Sequence, residues 1–210
     1  MLTLYFSPGA CSMASHIGLE ESGASYTERP TLLGKSEQKS ETYLKINPRG
    51  KVPALEVDGR VITENTAILT YIARQYPQAK LLPDDAVEAA QCIETMAWLS
   101  NIVHPSYQRT MRPERFADSD GGKAEVVAAG KKSFWSNLEE IDGMLKGREW
   151  IVGTRYSVAD AYALVFYGWG KRSEYPVEKL AHYSAWKDRM MQRPAVMKIL
   201  HSEQNVLAKQ

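Results

Sequence analysis

The chain has 210 residues, of which 44% are hydrophobic and 24% charged, and its 26 basic residues nearly balance its 25 acidic ones. This composition supports one or two buried cores and excludes a disordered tail, a collagen and a small disulfide scaffold. A formal net charge of +1 is too small to hold nucleic acid or an anionic membrane by charge alone, so we expect a small-molecule partner.

The first 76 residues alternate between strand-like and helix-like patterns. Asp58 and Gly59 separate two short apolar runs, which is the strongest short sequence signal for a β-hairpin. We therefore predict a small mixed sheet covered by helices. The predicted strands are residues 2–6, 26–30, 52–57 and 60–63, and the predicted helices are 11–21, a short one before residue 47, and 65–76.

The pattern changes after Pro77, because the remaining residues show helical spacing without a convincing strand. Residues 77–85 are interpreted as a linker. We therefore predict two domains, an α/β domain of residues 1–78 and an all-α domain of residues 86–210. The predicted helices of the second domain are 86–112, 121–146, one after Ser157, 177–192 and a short one after Pro194.

The two cysteines, Cys11 and Cys92, are too few for a disulfide framework, and no group of cysteines and histidines has the spacing of a structural zinc site. The longest apolar stretch, residues 161–170, is about half the length that crosses a bilayer. The first residues lack the basic and apolar segments of a signal peptide. These features predict a cytoplasmic protein with no bound metal and no membrane segment.

Cys11 follows a Pro-Gly turn at the predicted start of the first helix, where unpaired N–H groups and the helix dipole would stabilise a thiolate. It is either a reactive, ligand-facing thiol or a small buried hydrophobe. The following residues contain no second cysteine, which excludes a two-thiol C-x-x-C mechanism. Ser12 and Tyr5 carry hydroxyls that could donate to a bound sulfur, although such residues commonly cap a helix or pack in a strand.

Pro53 opens the predicted third strand. Because proline cannot donate to a ladder, it leaves the backbone of Val52 free to bind an extended ligand. From the sequence alone, an edge strand is the expected place for this proline. Lys35, in a polar loop, and Lys51, just before Val52, would add positive charge for an anionic ligand.

Polar residues also lie at two helical positions. Glu64 and Asn65 open the helix of residues 65–76, where they either cap the helix or bind the charged end of a ligand. His104 lies in the predicted helix 86–112, with Asn101 three residues before it and Tyr107 three after. These three side chains share one helix face and can serve one pocket.

Four ordered motifs resemble those of the glutathione transferases and span nearly the whole chain. They are Tyr5-x-x-Pro8-Gly9-Ala10-Cys11-Ser12, Asn47-Pro48-x-Gly50-x-Val52-Pro53-x-Leu55, Glu64-x-x-Ala67-Ile68 and Ser157-Val158-Ala159-Asp160-x-Tyr162. The cysteine after Pro-Gly and the histidine of Val103-His104 resemble the bacterial beta class. The resemblance implies a thioredoxin-like N-terminal domain, an all-helical C-terminal domain and a homodimer that binds glutathione between the two domains.

The resemblance also implies roles for individual residues. Cys11 would face the glutathione sulfur, and Val52, before a cis proline (Pro53), would pair with the cysteinyl backbone. Cys11 and His104 would be catalytic. Tyr107 and Trp169 would line the pocket for a small hydrophobic electrophile. Glu64 and Asn65 would hold the γ-glutamyl end, and Lys35 would reach the glycyl carboxylate. The other implied glutathione contacts are Tyr5, Ser12, Lys51 and Asn101.

Three positions depart from the usual beta-class pattern. Ser15 stands where a proline is usual, Asn65 where a small residue is usual, and Pro105 where a lysine is usual. We expect Asn65 still to bind glutathione, through its backbone N–H and its amide. We expect Pro105 to remove one contact and to distort the helix beside His104.

The predicted reaction is attack of the glutathione thiol on an electrophilic carbon, with proximity contributing more to the rate than a lowered thiol pKa. One alternative is a thiol–disulfide oxidoreductase in which Cys11 forms a mixed disulfide with glutathione. Another is a non-catalytic protein that binds apolar ligands or docks a second protein. Glutathione-dependent isomerase or dehalogenase activity also stays open, because one fold hosts several chemistries.

Overall fold

A computed structural model describes residues 1–209, and its first part is a four-stranded mixed sheet. The strands are β1 (Leu2–Phe6), β2 (Tyr26–Pro30), β3 (Ala54–Val57) and β4 (Arg60–Thr63). They are ordered β2-β1-β3-β4, with β1 parallel to β2 and antiparallel to β3. Strands β3 and β4 form the predicted hairpin, whose turn residues Asp58 and Gly59 have φ of 47° and 80°. These left-handed values match the right-handed twist of the strands.

Helices cover both faces of this sheet. They are α1 (Met13–Ser22), α2 (Glu41–Ile46) and α3 (Asn65–Gln75). Helices α1 and α3 pack together, with Ile17, Ile68 and Leu69 fully buried. Their close approach depends on Gly18, because a Cβ there would lie 2.7 Å from Cδ2 of Leu69. Helix α2 lies on the face that carries Tyr5.

The second part of the chain is helical, and β4 is the last strand within residues 1–209. Its helices are α4 (Ala86–Trp98), α5 (His104–Met111), α6 (Asp120–Leu145), α7 (Val158–Arg172), α8 (Ala181–Met191) and α9 (Pro194–Ser202). Residues Val158 to Gly170 of α7 are buried throughout, so this helix forms the centre of the second core. No helix in the described range is long and apolar enough to cross a membrane. Residue 210, the end of the predicted second domain, lies outside the described residues.

The predicted helix 86–112 is not continuous. A π-helical turn, Leu99–Val103, separates α4 from α5, and Pro105 occupies the first turn of α5. Proline lacks the N–H that an uninterrupted α-helix would use there, and the wider turn accommodates this loss. The expected distortion beside His104 is therefore present.

The predicted helix 177–192 is also divided. A short 3₁₀ turn, Val177–Lys179, precedes α8. The carboxylate of Asp142 in α6 accepts hydrogen bonds from the N–H groups of His182 and Tyr183, both at 2.8 Å. This long-range cap sets the start of α8, and a local pattern cannot reveal it.

The capping box at the start of α7 is present as predicted. The carboxylate of Asp160 accepts from the Ser157 N–H at 2.8 Å, and also from the Ile151 N–H and the Trp186 indole. Burial nevertheless raises the pKa of Asp160 to about 6. The motif therefore joins α7 to the preceding loop and to α8, in addition to capping its own helix.

The two parts of the chain pack through α1, which contacts both α7 and α9. Arg193, just before α9, donates two hydrogen bonds to the Glu21 carboxylate, at 2.6 and 2.8 Å. The observed architecture confirms the predicted fold class, an α/β thioredoxin-like domain followed by an all-α domain. The start of α1 consequently faces the helical domain.

Candidate active site

A cavity of about 220 Å³ lies between the two domains, and we call it the Cys11 cavity. Eight residues that the sequence nominated border it, namely Cys11, Lys51, Val52, Pro53, Glu64, Asn65, Asn101 and His104. They come from four separate parts of the chain, the turn after β1, the segment before β3, the start of α3 and the α4–α5 junction. Most of the polar groups expected at the site therefore converge.

The Cys11 thiol is held in its neutral form. Helix α1 begins at Met13, two residues later than predicted, and the Cys11 Sγ donates to the Val52 carbonyl at 3.7 Å. Burial, and after it the charge of Glu64, raises the pKa of Cys11 to about 12. The expectation of a stabilised thiolate is therefore wrong, because desolvation of Cys11 outweighs the effect of the helix terminus.

The segment before β3 is fixed from both sides. The Lys51 carbonyl accepts hydrogen bonds from the Tyr43 hydroxyl at 2.6 Å and from the Asn47 amide at 2.7 Å. The Val52–Pro53 peptide bond is cis, as the resemblance implied. The edge-strand expectation for Pro53 is wrong, because the strand that follows it lies inside the sheet, between β1 and β4. Pro53 avoids the ladder by preceding the strand.

Glu64 and Asn65 differ in what they can offer a ligand. Glu64 has a φ of 70° and an exposed side chain at the cavity. Asn65 is buried, and its amide donates to the Cys11 carbonyl at 2.9 Å and accepts from the Ser15 hydroxyl at 2.7 Å. The Asn65 side chain thus braces the Cys11 turn, which leaves its backbone N–H as the ligand-facing group.

His104 is a neutral imidazole at the cavity wall. Burial lowers the pKa of His104 to about 4, and the charges of Lys51 and Arg115 act in the same direction. The Gln108 side-chain amide lies 3.1 Å from His104 Nε2. With the Gln108 amide nitrogen as the donor, His104 Nε2 is the acceptor and the ring proton resides on Nδ1.

Three of the residues nominated as glutathione contacts do not border the Cys11 cavity. The Tyr5 hydroxyl donates to Glu56 at 3.1 Å, on the sheet face covered by α2. The buried Ser12 hydroxyl donates to the Ser7 carbonyl and accepts from the Ser7 N–H, so it closes the turn. Lys35 is exposed in a 3₁₀ turn of residues 33–35. The Tyr5 and Ser12 hydroxyls are therefore used in other hydrogen bonds, and the Lys35 ammonium group faces solvent.

The two residues nominated for the electrophile lie together but beside a different cavity. The rings of Tyr107 and Trp169 stack with centroids 4.5 Å apart, and Trp169 also contacts His104 edge to face at 4.9 Å. Trp169 lines a second cavity of about 370 Å³, which we call the Arg172 cavity. Tyr107 is buried. Its hydroxyl forms a hydrogen bond with the Ser173 hydroxyl and accepts one from the Arg172 guanidinium.

The sequence did not nominate several residues that border the Cys11 cavity. They are Asn47, Thr63, Ser100, Pro105, Gln108 and Tyr162. Gln108 is one helical turn after His104, and this spacing was the available signal. The buried Tyr162 reaches the cavity from α7, which only the packing of the domains brings there. Within residues 1–209 no group of three or more histidine, cysteine or acidic side chains is arranged to hold a metal.

Comparisons with known proteins agree on one family. The glutathione S-transferase N-terminal domain model matches residues 1–74, and the C-terminal domain model matches residues 93–194. Glutathione S-transferase GstA of Escherichia coli O157:H7 is 34% identical over 205 residues, which cover 96% of this chain and 98% of that protein.

Two solved structures are similar over almost the full length. A glutathione transferase homologue from Sulfitobacter with bound glutathione has a TM-score of 0.91 and 29% identity, covering 96% of this chain and 98% of its own. A bacterial beta class glutathione S-transferase from Sphingomonas chungbukensis has a TM-score of 0.84 and 35% identity, with the same coverage of 96% and 98%.

Together with these matches, a thioredoxin-like domain, a helical domain and a cavity between them that joins a cysteine to a cis-proline segment define a glutathione-dependent enzyme. The chain belongs to the glutathione S-transferase family. The predicted enzyme class, a glutathione S-transferase, is thereby confirmed.

Proposed function

We propose that this transferase binds glutathione in the Cys11 cavity and joins its sulfur to small hydrophobic electrophiles. The observation that carries the proposal is the convergence on one cavity of the Cys11 thiol, the Val52 backbone and Glu64. A thiol, a backbone segment outside the sheet ladder and a carboxylate are complementary to the sulfur, the main chain and the ammonium group of a γ-glutamyl tripeptide.

Glutathione would lie across the junction of the domains. Val52 would pair with the cysteinyl backbone, and Glu64 and the Asn65 N–H would hold the γ-glutamyl end. Lys51 is the cation at this cavity, so we assign the glycyl carboxylate to Lys51 in place of Lys35. Asn101 would contact the tripeptide from the helical domain.

Cys11 and His104 would act as neutral hydrogen-bond donors. A thiol with a pKa of about 12 and an imidazole protonated on Nδ1 both favour the thiolate form of glutathione. The glutathione proton passes to solvent, the thiolate attacks the electrophilic carbon, and the leaving group departs with its bonding electrons. Holding sulfur and carbon together is the largest contribution, because effective molarities reach about 10⁵ M in favourable cases.

The mixed-disulfide alternative gives the clearest test. It requires a nucleophilic Cys11 thiolate, which the raised pKa opposes. We therefore expect wild type and Cys11→Ser to conjugate chlorodinitrobenzene, with slower turnover in Cys11→Ala and His104→Ala, and only weak reduction of hydroxyethyl disulfide throughout. Strong disulfide reduction that vanishes in Cys11→Ala and in Cys11→Ser, with negligible conjugation, would instead establish the oxidoreductase.

We also propose a cytoplasmic homodimer of the beta class with a detoxifying role. Both cysteines are free, which is compatible with a reducing compartment. Val61 on the edge strand β4, Val87 on α4 and Ile102 in the π turn are exposed hydrophobic side chains that a second copy could cover. Light scattering after size exclusion should give twice the chain mass of 23.6 kDa; a single-chain mass would contradict the dimer.

A further inference from the structure

The Arg172 cavity is built next to the turn that carries Cys11. Pro8 and Gly9 of that turn form one wall, α7 forms another, and residues 203–206 close it. Trp169 belongs to this cavity, while its ring touches His104 of the Cys11 cavity. Its volume of about 370 Å³ lies within the usual range of small-molecule sites. The turn after β1 therefore contributes Gly9 to this cavity and Cys11 to the Cys11 cavity.

One wall of this cavity suits an aromatic ring. Pro8, Val206 and the Trp169 indole supply its apolar surface. The indole is fixed by its stack on Tyr107 and by its N–H, which donates to the Gly9 carbonyl at 3.0 Å. A rigid aromatic face of this kind favours a flat, apolar ligand over a flexible one.

The rim of the cavity carries an oriented positive charge. The Arg172 guanidinium donates to the Gly9 carbonyl and to the Tyr107 hydroxyl, each at 3.2 Å. Both acceptors are neutral, and no carboxylate within residues 1–209 lies within 4.0 Å of this guanidinium. A guanidinium has five N–H donors, so donors and charge remain available to an anionic ligand.

Among the described residues of the cavity wall Glu203 is the one acidic side chain, and both of its carboxylate oxygens already have hydrogen-bond partners. Its side chain is fully buried, with one oxygen accepting from the Gly9 N–H at 3.0 Å and the other 2.8 Å from His16 Nδ1. These contacts direct the carboxylate toward the protein interior. Arg172 is therefore the group that presents unsatisfied charge to the cavity.

We propose that the Arg172 cavity binds aromatic electrophiles that carry a carboxylate, with the ring against Trp169 and the carboxylate on Arg172. The proposal rests on the proposed conjugation function and narrows its substrate class. A planar guanidinium matches a carboxylate geometrically, and the exposed Arg172 side chain is accessible to a ligand at the rim of the cavity. Recognition of the acid would hold the ligand beside the Pro8-Gly9 turn, whose chain continues to Cys11.

Binding of unreactive probes tests this proposal independently of catalysis. Nitrobenzoate and nitrobenzamide differ in charge and lack a leaving group, so calorimetry on the glutathione-loaded enzyme compares affinities alone. We expect the acid to bind about tenfold more tightly than the amide. The preference should fall to about twofold or less in Arg172→Gln and persist in Arg74→Gln, which removes the same charge from an exposed site on α3.

The variant Arg172→Lys keeps the positive charge but removes the guanidinium that donates to Gly9 and Tyr107, so it separates the contribution of charge from that of hydrogen bonding. It should retain part of the preference for the acid, because the positive charge remains. Equal binding of acid and amide in the wild type, or a preference that survives in Arg172→Gln, overturns the proposal. Circular dichroism of each variant verifies folding.

Turnover of chloronitrobenzoate and chloronitrobenzamide with glutathione then separates this proposal from the general function. The ratio of their kcat/KM values should follow the binding preference and fall in Arg172→Gln. Absence of turnover with both compounds would contradict the conjugation function, while the calorimetric preference would still decide whether Arg172 binds the acid.

Discussion

Ser15 and Asn65 are joined by a hydrogen bond of 2.7 Å, from the serine hydroxyl to the amide oxygen, and both side chains are buried. The same amide donates to the carbonyl of Cys11 at 2.9 Å. These are two of the three positions that depart from the usual beta-class pattern. The two departures therefore form a single interaction, which ties the start of α3 to α1 and to the Cys11 turn.

We expect this pair to stabilise the fold and the site together. Asn65→Ala leaves the buried Ser15 hydroxyl and the Cys11 carbonyl without their partner, at a cost of about 1–3 kcal/mol in urea unfolding. A double-mutant cycle with Ser15→Ala should give a coupling of about 0.5–3 kcal/mol. Ser133→Ala, which removes a hydroxyl bonded only within α6, serves as the control and should change stability by less than about 0.5 kcal/mol. Strictly additive effects would show that the pair is not coupled.

Alkylation of Cys11 by iodoacetamide should be slow in the absence of glutathione. Raising the thiol pKa from 9.0 to about 12 lowers the thiolate fraction at neutral pH about a thousandfold. The greater nucleophilicity of a more basic thiolate offsets part of this loss, which leaves a rate about fiftyfold below that of a free thiol. Mass spectrometry of the Cys11 peptide measures this rate separately from that of Cys92.

The charge of Glu64 contributes to this slow reaction, so Glu64→Gln should accelerate alkylation of Cys11. Glu94→Gln, at an exposed position on α4, is the matched control and should leave the rate unchanged. A wild-type rate equal to that of a free cysteine at neutral pH would show that the thiol is not held in its neutral form.

His104 should stay neutral throughout the ordinary assay range. With a pKa of about 4, its protonation contributes no inflection to the profile of kcat/KM against pH near 6.5. Nuclear magnetic resonance can follow the ring directly, and His104→Gln assigns its signal. A midpoint close to 6.5 for that signal would contradict the geometry described for Lys51, Gln108 and the imidazole.

Asp160 makes stability depend on acidity in the opposite sense to most carboxylates. Its pKa rises from 3.8 unfolded to about 6 folded, so the native state binds the proton more tightly. Its contribution is therefore present below about pH 4 and is lost as the pH rises to 6, by about 3 kcal/mol. Asp160→Asn should remove this loss. The lowered pKa of His104 acts in the reverse direction over the same range, so the variant's unfolding free energy should rise more steeply with pH than the wild type's.

The two nominated lysines should differ in their effect on glutathione. Lys51→Gln removes a charge from the Cys11 cavity and should weaken glutathione binding about fivefold, the usual size of an exposed ion pair. Lys35→Gln removes an equal charge from an exposed turn away from the cavity and should change affinity little. Calorimetric titration compares them directly, and a larger effect at Lys35 would reverse the assignment of the glycyl carboxylate.

Local features were predictable because their causes are close in sequence. The strands β1, β2 and β4 follow from alternation, and the hairpin follows from Asp58 and Gly59. The capping box follows from Ser157 and Asp160. Where a distant group decides the outcome, as Asp142 does for the start of α8, the sequence pattern misplaces the element.

The candidate site divides along the same line. The resemblance nominated eight of the residues that border the Cys11 cavity, because motif residues carry their spacing with them. It assigned the glycyl carboxylate to Lys35, whereas Lys51 is the lysine that borders the cavity. Nor did it show that the Ser12 hydroxyl donates to the Ser7 carbonyl within the turn, or that the Trp169 ring stacks on Tyr107.

The amino-acid sequence alone determined that this is a two-domain glutathione transferase, because periodicity, turn chemistry and four ordered motifs are properties of neighbouring residues. Only the tertiary structure decided the protonation states of Cys11 and His104, the bond between Ser15 and Asn65, and the charge exposed at Arg172. Burial and contacts between groups far apart in the chain control these properties, and neither exists before the domains pack against each other.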